Sequence, residues 1–445
     1  MLAGAEEALP GAATMMRSWV ESANTEETDF PLENLPLGVF TTGEEAARIG
    51  MAIGDRVLDL RGAARAGLFD TLDAEVRKSL EASVLNALMA LGRDASRELR
   101  ARVQELLADA AAQRFMSGLL HLQGAVQMCM PVVVGDYTDF YASIHHATRV
   151  GRMLRPDNPL PQSYKYLPIG YHGRASSLLA SGAPIRRPWG QFRRSGEVAP
   201  CFAPTEALDY ELEVGFFIGR GNLPGEPVAM ADAEAHLFGA CLLNDWSARD
   251  IQSWEYQPLG PFLGKNFATT ISPWVVTMEA LEPFRVPAPV RADGEPAVLP
   301  HLAGKENGRR GGIDLQLEVW LRTAQMRRNG QAAVQLSAAN LRDLYWTPLQ
   351  MLVHHTSNGC NLRAGDLFAT GTVSGAEDGG RGCLLEITQR GTEPLLLPNG
   401  EQRLWLEDGD EVTLRGFCAA EGQRRIGFGA CIGVVRGAGV FPLMV

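Results

Sequence analysis

The sequence predicts a mostly β, α+β fold in which a small amino-terminal unit precedes a larger domain built on a mixed, strongly bent β-sheet. The chain of 445 residues exceeds one average core, so two domains are expected. After about residue 130, glycine, proline and aromatic residues become dense, and short strand-like runs such as ELEVGFFIG and RIGFGACIGVV dominate. No GxGxxG lies between a strand and a helix, and no GxxxxGKS or GxxxxGKT phosphate loop occurs, which disfavours a doubly wound nucleotide-binding fold.

Charge, turn signals and the spacing of apolar residues predict the elements of the amino-terminal unit. The first stretch, MLAGAEEALPGAATMM, has two glutamates and no basic residue, unlike a secretory or transit peptide, so we expect a disordered lead over 1–25. The strand-like runs LGVF, ARIGMAI and RVLDL follow, separated by the turn signals TTGEE and GD. From about Glu75 to Arg114, apolar residues recur every three or four positions, which predicts helix. We expect this packing or oligomerisation unit over 26–131 and the domain that carries the chemistry over 132–445.

The composition disfavours several kinds of partner. The net charge of −11 at pH 7 does not favour nucleic acid or an anionic membrane, and no run of about eighteen apolar residues spans a bilayer. The seven cysteines form no CxxC and are odd in number, so we expect neither a disulfide framework nor a structural zinc site. We predict a soluble, cytoplasmic protein with reduced cysteines, which are Cys129, Cys201, Cys241, Cys360, Cys383, Cys418 and Cys431.

The first candidate for chemistry is the segment ALDYELEVGFF, residues 207–217. Its apolar residues alternate with Asp209, Glu211 and Glu213, so a strand would place three carboxylates on one face. Alternate side chains on that face lie roughly 6.5–7 Å apart, close enough for two carboxylates to converge on one hard cation. The alternative is a half-solvated strand whose polar residues face water.

The second candidate is the segment NDWSARDIQSWEY, residues 244–256. In a helix, Asp245, Arg249, Gln252 and Tyr256 would form one stripe able to bind a metal and a polar, anionic substrate. The alternative is the solvated face of an amphipathic helix. Lys265 follows Gly264 in a predicted turn, where its ammonium group could point into a cleft.

Two further segments carry polar residues of catalytic type. Asp139 and His146 are seven residues apart, so a helix would place them on one face, with the imidazole as a possible base. Thr372 lies in the glycine-flanked run TGTVSG, and Glu386, in the predicted strand CLLEIT, could orient an imidazole. Structural roles for these residues are the alternative, and we interpret the paired His354 and His355 as structural.

Taken together, these segments resemble the fumarylacetoacetate hydrolase family, and the similarity extends to DFPLENLPLGVFTT and RIGMAIGDRVLDL in the amino-terminal unit. The resemblance implies a small SH3-like amino-terminal barrel domain, a β-roll catalytic domain and a homodimer. The motifs that carry it are DYTDFY (136–141), HAT (146–148), PIGYHGRASS (168–177), ELEVGFF (211–217), NDWSARDIQSWEYQPLGPFLGK (244–265), TTISPWVV (269–276) and HHTSNGCNLRAGDL (354–367).

The family pattern also implies a role for each matching residue. A catalytic Ca²⁺ or Mg²⁺ would be held by Asp139, Glu211, Glu213 and Asp245. A second cation, Mg²⁺ or a monovalent ion, would involve Lys265, Ala268 and Thr269. His146 would be the base, oriented by Glu386, and the oxyanion would be stabilised by Arg249, Gln252 and Lys265. The substrate contacts would be Tyr141, Arg155, Tyr171, Gln252, Tyr256 and Thr372. Ala268 and His145 depart from the residues usual in the family, glycine and glutamine.

The reaction that this resemblance implies is metal-dependent hydrolysis of a carbon–carbon bond in 4-fumarylacetoacetate, the last step of tyrosine and phenylalanine breakdown. The products would be fumarate and acetoacetate. An acylpyruvate hydrolase, an oxaloacetate decarboxylase or an isomerase of ring-cleavage products is the nearest alternative, but such proteins generally lack the amino-terminal domain and the DYTDFY segment. A non-catalytic metal-binding protein is the second alternative, although base, orienting acid and oxyanion donors are all present.

Overall fold

The computed structural model describes residues 16–441 of the chain. The amino-terminal unit combines a five-stranded antiparallel sheet with short helices, in the strand order β4-β3-β2-β1-β5. Its strands are β1 (Leu37–Thr41), β2 (Arg48–Ile53), β3 (Arg56–Asp59), β4 (Leu120–Leu122) and β5 (Gln127–Met128). Its helices are α1 (Leu60–Arg65), α2 (Ala74–Ser79), α3 (Asn86–Ala90), α4 (Arg93–Ala108) and α5 (Gln113–Met116).

The larger domain is dominated by strands. They are β6 (Tyr137–Phe140), β7 (Gly170–His172), β8 (Leu178–Ala180), β9 (Pro184–Arg186), β10 (Trp189–Phe192), β11 (Cys201–Pro204), β12 (Leu208–Asp209), β13 (Leu212–Ile218), β14 (Leu237–Asp245), β15 (Ser247–Ala248), β16 (Thr269–Ile271), β17 (Val276–Thr277), β18 (Arg285–Val286), β19 (Gly312–Ile313), β20 (Gln316–Arg322), β21 (Val334–Asn340), β22 (Leu367–Ala369), β23 (Leu395–Leu396), β24 (Gln402–Arg403), β25 (Glu411–Cys418) and β26 (Ile426–Arg436). The helices are α6 (Ile144–Leu154), α7 (Arg249–Glu255), α8 (Met278–Leu281), α9 (Lys305–Arg310), α10 (Ala324–Arg328), α11 (Pro348–Thr356) and α12 (Leu384–Ile387). The predicted fold class is confirmed.

Two sheets of this domain stack on each other. The eight-stranded sheet has the order β7-β6-β22-β13-β14-β16-β8, with β17 attached to β14, and mixes parallel and antiparallel pairs. The five-stranded sheet has the order β21-β20-β25-β26-β9. Val214 and Leu242 of the larger sheet share one hydrophobic core with Leu317 and Leu414 of the smaller one. The alternating burial of β20 and β25 reflects this, because only one face of the smaller sheet is covered.

The other face of the eight-stranded sheet packs against the amino-terminal unit. Phe217 and Leu243 lie in the same core as Ile49 and Leu99, which belong to β2 and α4. Strands β13 and β14 are therefore buried on both faces, and every residue in them is buried. The interpretation of residues 207–217 as a half-solvated strand is wrong for this reason. No helix in the described part of the chain is both long and apolar enough to cross a bilayer.

Parts of the amino-terminal prediction need correction. Residues 1–15 of the expected lead lie outside the described residues, but the rest is folded: the Trp19 indole donates to the Leu106 carbonyl at 3.0 Å, and Val20 is buried in the core. The helix expected over 75–114 is divided into four helices. Gly92, with φ +85°, separates α3 from α4. Such a residue ends one helix and lets the chain start another in a new direction.

Gly433 of β26 is expected to tolerate no side chain, because a Cβ there would lie 2.2 Å from the buried Trp246 ring. Trp246 follows Asp245 directly and donates from its indole to the Thr270 hydroxyl at 2.8 Å. We expect Gly433→Ala to lower the free energy of unfolding by about 1–3 kcal/mol through overpacking. Chemical unfolding measures this change, and Gly118→Ala, where a Cβ would meet no described atom within 4 Å and φ is not positive, gives a comparison for the loss of glycine alone.

Candidate active site

One end of the eight-stranded sheet brings four carboxylates together. Asp139 lies on β6, Glu213 on β13 and Asp245 at the end of β14, while Glu211 immediately precedes β13. The strand order places β6 and β14 on either side of β22 and β13, so residues far apart in sequence meet. Ligand oxygens of all four residues lie within 4.8 Å of one another, and all four side chains are buried. The predicted quartet therefore forms one cluster.

The elements that carry these residues differ from the predicted ones. Asp139 lies in strand β6 and His146 in the first turn of helix α6, so they are not on one helical face. Likewise, Asp245 belongs to β14 and only Arg249 and Gln252 share α7, with Tyr256 at its carboxyl end. Chain turns, rather than helical spacing, bring these groups together.

Two more local predictions are wrong. The strand expected over 207–217 breaks between β12 and β13, and Asp209 turns to accept hydrogen bonds from Arg249 and from the amides of Leu384 and Leu385. Glu386 lies in the short helix α12 rather than in a strand.

Two of the four carboxylates, those of Glu211 and Asp245, form ion pairs with basic side chains. Lys265 donates from Nζ to Glu211 and, at 2.7 Å, to Asp245, and Arg249 Nη1 lies 2.6 Å from the other Glu211 oxygen. Burial alone would raise the pKa of Glu211, but Lys265 and Arg249 outweigh it and hold that pKa below its ordinary value. Asp245 also accepts from the Thr269 hydroxyl at 2.6 Å and from the Tyr171 hydroxyl at 2.9 Å. These contacts fix the orientation of both carboxylates.

The other half has unsatisfied oxygens. Both carboxylate oxygens of Glu213 and Oδ1 of Asp139 are buried and have no hydrogen-bond partner among residues 16–441. Burial, together with repulsion from the neighbouring carboxylates, raises the pKa of both groups well above the ordinary range. Buried acceptors without donors are costly unless a cation satisfies them. The oxygen-only donor set therefore fits a hard divalent cation such as Mg²⁺ or Ca²⁺.

The proposed base and its orienting acid form a buried pair beside this quartet. His146 is 4% exposed, and its Nδ1 lies 2.8 Å from Oε2 of the fully buried Glu386. Ser143 caps the helix that carries His146, accepting from the His146 amide. The Ser374 hydroxyl donates to the same Glu386 oxygen at 2.7 Å. Burial opposes ionisation, but His146 and Ser374 outweigh it and hold the pKa of Glu386 at about 2. The predicted partnership of His146 and Glu386 is thus present.

Two of the three oxyanion candidates, Arg249 and Gln252, line a cavity of about 300 Å³ next to this pair, whereas Lys265 does not. Arg249, Gln252 and Tyr256 form its polar wall, and Val150 and Leu385 lie on its apolar wall. Gln252 accepts from Arg249 at 3.3 Å through its carbonyl oxygen, so its amide nitrogen is left to donate elsewhere. Tyr171, Asp245, Lys265 and Thr269 line a second cavity of about 260 Å³.

Of the remaining predicted substrate contacts, some lie close to the site and one lies away from it. The Tyr141 ring lies edge-on to His146, with ring centroids 5.4 Å apart. Thr372 is buried in the loop after β22, where Gly371 has φ +72° and a Cβ would lie 2.1 Å from the Phe140 carbonyl oxygen, so this turn requires glycine. Arg155 follows α6, is exposed and donates to the Pro159 carbonyl, so it stands apart from both cavities.

Comparison with known proteins identifies the family. The family model described as fumarylacetoacetate (FAA) hydrolase C-terminal matches residues 136–436, and the one described as fumarylacetoacetase N-terminal matches residues 33–131. The chain belongs to the fumarylacetoacetate hydrolase family. The predicted resemblance is confirmed, and the chain is an enzyme of this hydrolase family.

Curated members of the family match nearly the whole chain. The fumarylacetoacetase of Homo sapiens is 46% identical over 417 residues, which cover 92% of this chain and 97% of the human one. That of Arabidopsis thaliana is 45% identical over 429 residues, covering 95% and 98%. Among solved structures, a fumarylacetoacetate hydrolase from psychrophilic Exiguobacterium antarcticum superposes with a TM-score of 0.50 at 17% identity, covering 91% of this chain and 99% of that chain. That likeness supports the fold.

Sequence reasoning about this family member missed two neighbours of Glu386. Arg149 lies one helical turn after His146; its Nη1 is 3.4 Å from Glu386 Oε1, and it also donates to the carbonyls of Gly375 and Ala376. The Cys383 thiol lies 3.4 Å from Glu386 Oε2. The three-residue spacings from His146 to Arg149 and from Cys383 to Glu386 are the only signals in the sequence, and both are too common to select these residues.

We expect Glu386→Gln to destabilise the protein at neutral pH by up to about 3 kcal/mol, because the pKa of Glu386 falls from 4.5 to about 2 on folding. A lowered carboxyl pKa contributes stability above pH 4.5, and that contribution is lost as the pH falls towards 2. Urea unfolding of both proteins between pH 4 and 7 should show the difference shrinking below pH 4.5. A difference independent of pH would indicate that Glu386 acts only through packing.

Proposed function

We propose that this enzyme hydrolyses 4-fumarylacetoacetate to fumarate and acetoacetate, in the breakdown of tyrosine and phenylalanine. The observation that carries the proposal is the buried His146–Glu386 pair beside a quartet of carboxylates with unsatisfied oxygens. Hydrolysis of a carbon–carbon bond needs both a base for water and a way to stabilise a carbanion, and these two clusters supply them. Fumarylacetoacetases at 45–47% identity support the choice of substrate.

His146 would remove a proton from water. Because Nδ1 faces Glu386, the proton would be taken up at Nε2, and the ionised Glu386 would stabilise the resulting imidazolium. The hydroxide oxygen would bond to the carbonyl carbon of the fumaroyl arm. The carbon–carbon bond then breaks, and its electron pair passes to the acetoacetate fragment as an enolate. The proton held on His146 Nε2 would return to that enolate, which completes acetoacetate and restores the base.

Arg249, Gln252 and Lys265 would stabilise the negative charge that develops on the attacked carbonyl oxygen. Arg249 is held in place by Asp209, and Lys265 by Glu211 and Asp245, so these donors need little reorganisation during the reaction. Burial lowers the pKa of Lys265, but its two carboxylates outweigh that effect, so it remains protonated at neutral pH.

Asp139, Glu211, Glu213 and Asp245 would hold the catalytic Mg²⁺ or Ca²⁺. When bound, such an ion acts as a Lewis acid that stabilises the enolate character of the leaving group. A second cation near Lys265, Ala268 and Thr269 stays a prediction of the family pattern. So do the homodimer, the cytoplasmic location and substrate contacts from Tyr141, Arg155, Tyr171, Gln252, Tyr256 and Thr372.

A product assay with a small panel of diketo acids tests the substrate. The metal-loaded protein should convert 4-fumarylacetoacetate to fumarate and acetoacetate, and removal of divalent cations with a chelator should abolish turnover until Mg²⁺ or Ca²⁺ is restored. Turnover of acylpyruvates or oxaloacetate in place of fumarylacetoacetate would overturn the proposal. The match to the fumarylacetoacetase amino-terminal domain argues against that outcome.

A further inference from the structure

A second cluster of metal-ligating atoms lies beside the acidic quartet and has different chemistry. His146 Nδ1 lies 2.8 Å from Glu386 Oε2, Cys383 Sγ lies 3.4 Å from that oxygen, and the sulfur and the nitrogen are 4.0 Å apart. All three side chains are buried. The proposed reaction uses the imidazole and the carboxylate but gives the sulfur no role.

These separations suit a small divalent cation. The three atoms are separated by 2.8, 3.4 and 4.0 Å. Zinc binds nitrogen and oxygen ligands at about 2.0–2.2 Å and sulfur at about 2.3 Å, so a tetrahedral ion needs its ligands about 3.3–3.6 Å apart. The nitrogen and the oxygen would separate, and the nitrogen and the sulfur would approach, by about half an ångström. Thiolate and imidazole are ligands that zinc prefers, whereas the oxygen-only quartet suits Mg²⁺ or Ca²⁺.

We infer that His146, Cys383 and Glu386 form an inhibitory site for Zn²⁺, separate from the hard-cation site formed by the acidic quartet. Arg149 contacts the other Glu386 oxygen, Oε1, whereas Oε2 accepts from the Ser374 hydroxyl and also faces the imidazole and the thiol, so Oε2 would be the carboxylate ligand. Val150 and Leu385, the sequence neighbours of Arg149 and Glu386, line the 300 Å³ cavity, so that cavity lies next to the segments that carry the ligands, and a water molecule would be the fourth ligand of a tetrahedral ion.

Zinc at this site would inhibit turnover because it changes which nitrogen of His146 carries a proton. Zinc binding releases the Cys383 thiol proton to solvent, and the ion replaces the proton on His146 Nδ1. A neutral imidazole with a metal on Nδ1 carries its proton on Nε2, so that nitrogen has no lone pair left to accept a proton from water. The loss of turnover rests on the proposed role of His146 as the base, whereas zinc binding itself does not.

Cobalt(II) tests binding without relying on activity. The protein is saturated with Mg²⁺ and titrated with Co²⁺, and the near-ultraviolet charge-transfer band of a thiolate bound to Co²⁺ is recorded. We expect the band to saturate at one equivalent in the wild type, to be absent in Cys383→Ser and to persist in Cys418→Ser, which alters a buried cysteine elsewhere. Absence of the band in the wild type, or its persistence in Cys383→Ser, overturns the inference.

The second test measures how turnover falls as Zn²⁺ is added. In excess Mg²⁺, Cys383→Ser should need about 10–100-fold more Zn²⁺ than the wild type for half-inhibition, because serine is a poor zinc ligand, and Cys418→Ser should behave like the wild type. Equal inhibition of Cys383→Ser and wild type overturns the assignment. If the protein failed to hydrolyse fumarylacetoacetate, the proposed function would fall, but the cobalt band would still decide whether the site binds metal.

Discussion

Replacement of His146 with alanine is expected to lower kcat by about 10²–10⁴-fold, the usual contribution of a general base. His146 is held by Glu386 at 2.8 Å, and the adjacent cavity is lined by Arg249 and Gln252, two of the oxyanion candidates. Without the imidazole, water must attack without transfer of its proton to a fixed acceptor. Steady-state assays of fumarylacetoacetate turnover at saturating Mg²⁺ measure this loss, and KM should change much less than kcat.

His145→Ala is the matched control, because it removes a half-buried histidine from the same helix one residue away. That variant should keep turnover close to that of the wild type and show that the effect of His146→Ala is not a general effect on α6. Calorimetric binding of Mg²⁺ to His146→Ala should also be retained, since the quartet is untouched. Near-normal turnover of His146→Ala would remove His146 from the role of base.

Glu213→Gln is expected to weaken Mg²⁺ or Ca²⁺ binding at least about tenfold, because it replaces a charged oxygen ligand with a neutral amide. A ligand at 100 times its Kd stabilises a folded protein by about 2.7 kcal/mol, and at 10 times its Kd by about 1.4 kcal/mol, so the variant should lose at least about half of the thermal stabilisation that the cation gives the wild type. Calorimetric titration and thermal unfolding with and without the cation measure both effects.

Without a divalent cation, Glu213→Gln should have a higher free energy of unfolding than the wild type, the reverse of the order expected with the cation bound. The folded-state pKa of Glu213 is raised, so the wild type loses stability as the pH rises above the ordinary value of 4.5, and the glutamine variant does not. At pH 8 the metal-free variant should therefore be the more stable protein.

Glu279→Gln is the control for Glu213→Gln, because Glu279 pairs with Arg93 at 2.7 Å outside the quartet. It should reduce stability without changing cation affinity, and an equal effect of both variants on affinity would contradict the assignment of Glu213.

The sequence predicts the fold class and three of the five strands of the amino-terminal sheet because turn signals and apolar runs are local. LGVF, ARIGMAI and RVLDL correspond to β1, β2 and β3. The acidic residues were also found, but the elements that carry them were not. A seven-residue spacing suits one helix as well as a strand, a turn and a helix, so the spacing predicts a shared helix for Asp139 and His146, whereas a turn separates them in the structure. Strand order decides that difference, and strand order is not local.

The contacts around Glu386 depended even more on tertiary structure. Glu386 and His146 are 240 residues apart, and only the family resemblance linked them. The family resemblance assigns no role to Arg149 or Cys383. Each lies three residues from a predicted site residue, His146 or Glu386, and that spacing is common in helices without a catalytic role. Asp209 was grouped with Glu211 and Glu213, because a strand period cannot show that the chain breaks after Asp209 and turns this carboxylate towards Arg249.

The eight-stranded sheet is covered by the smaller sheet on one face and by the amino-terminal unit on the other. The two matched regions therefore share the core on that second face: Phe217 and Leu243 would be exposed to water if residues 16–131 were removed. Burial stabilises such side chains by about 1.5–3 kcal/mol each, so separation would be costly. The two regions should consequently melt together as one cooperative transition, and the site at the end of the sheet should remain assembled until the whole chain unfolds.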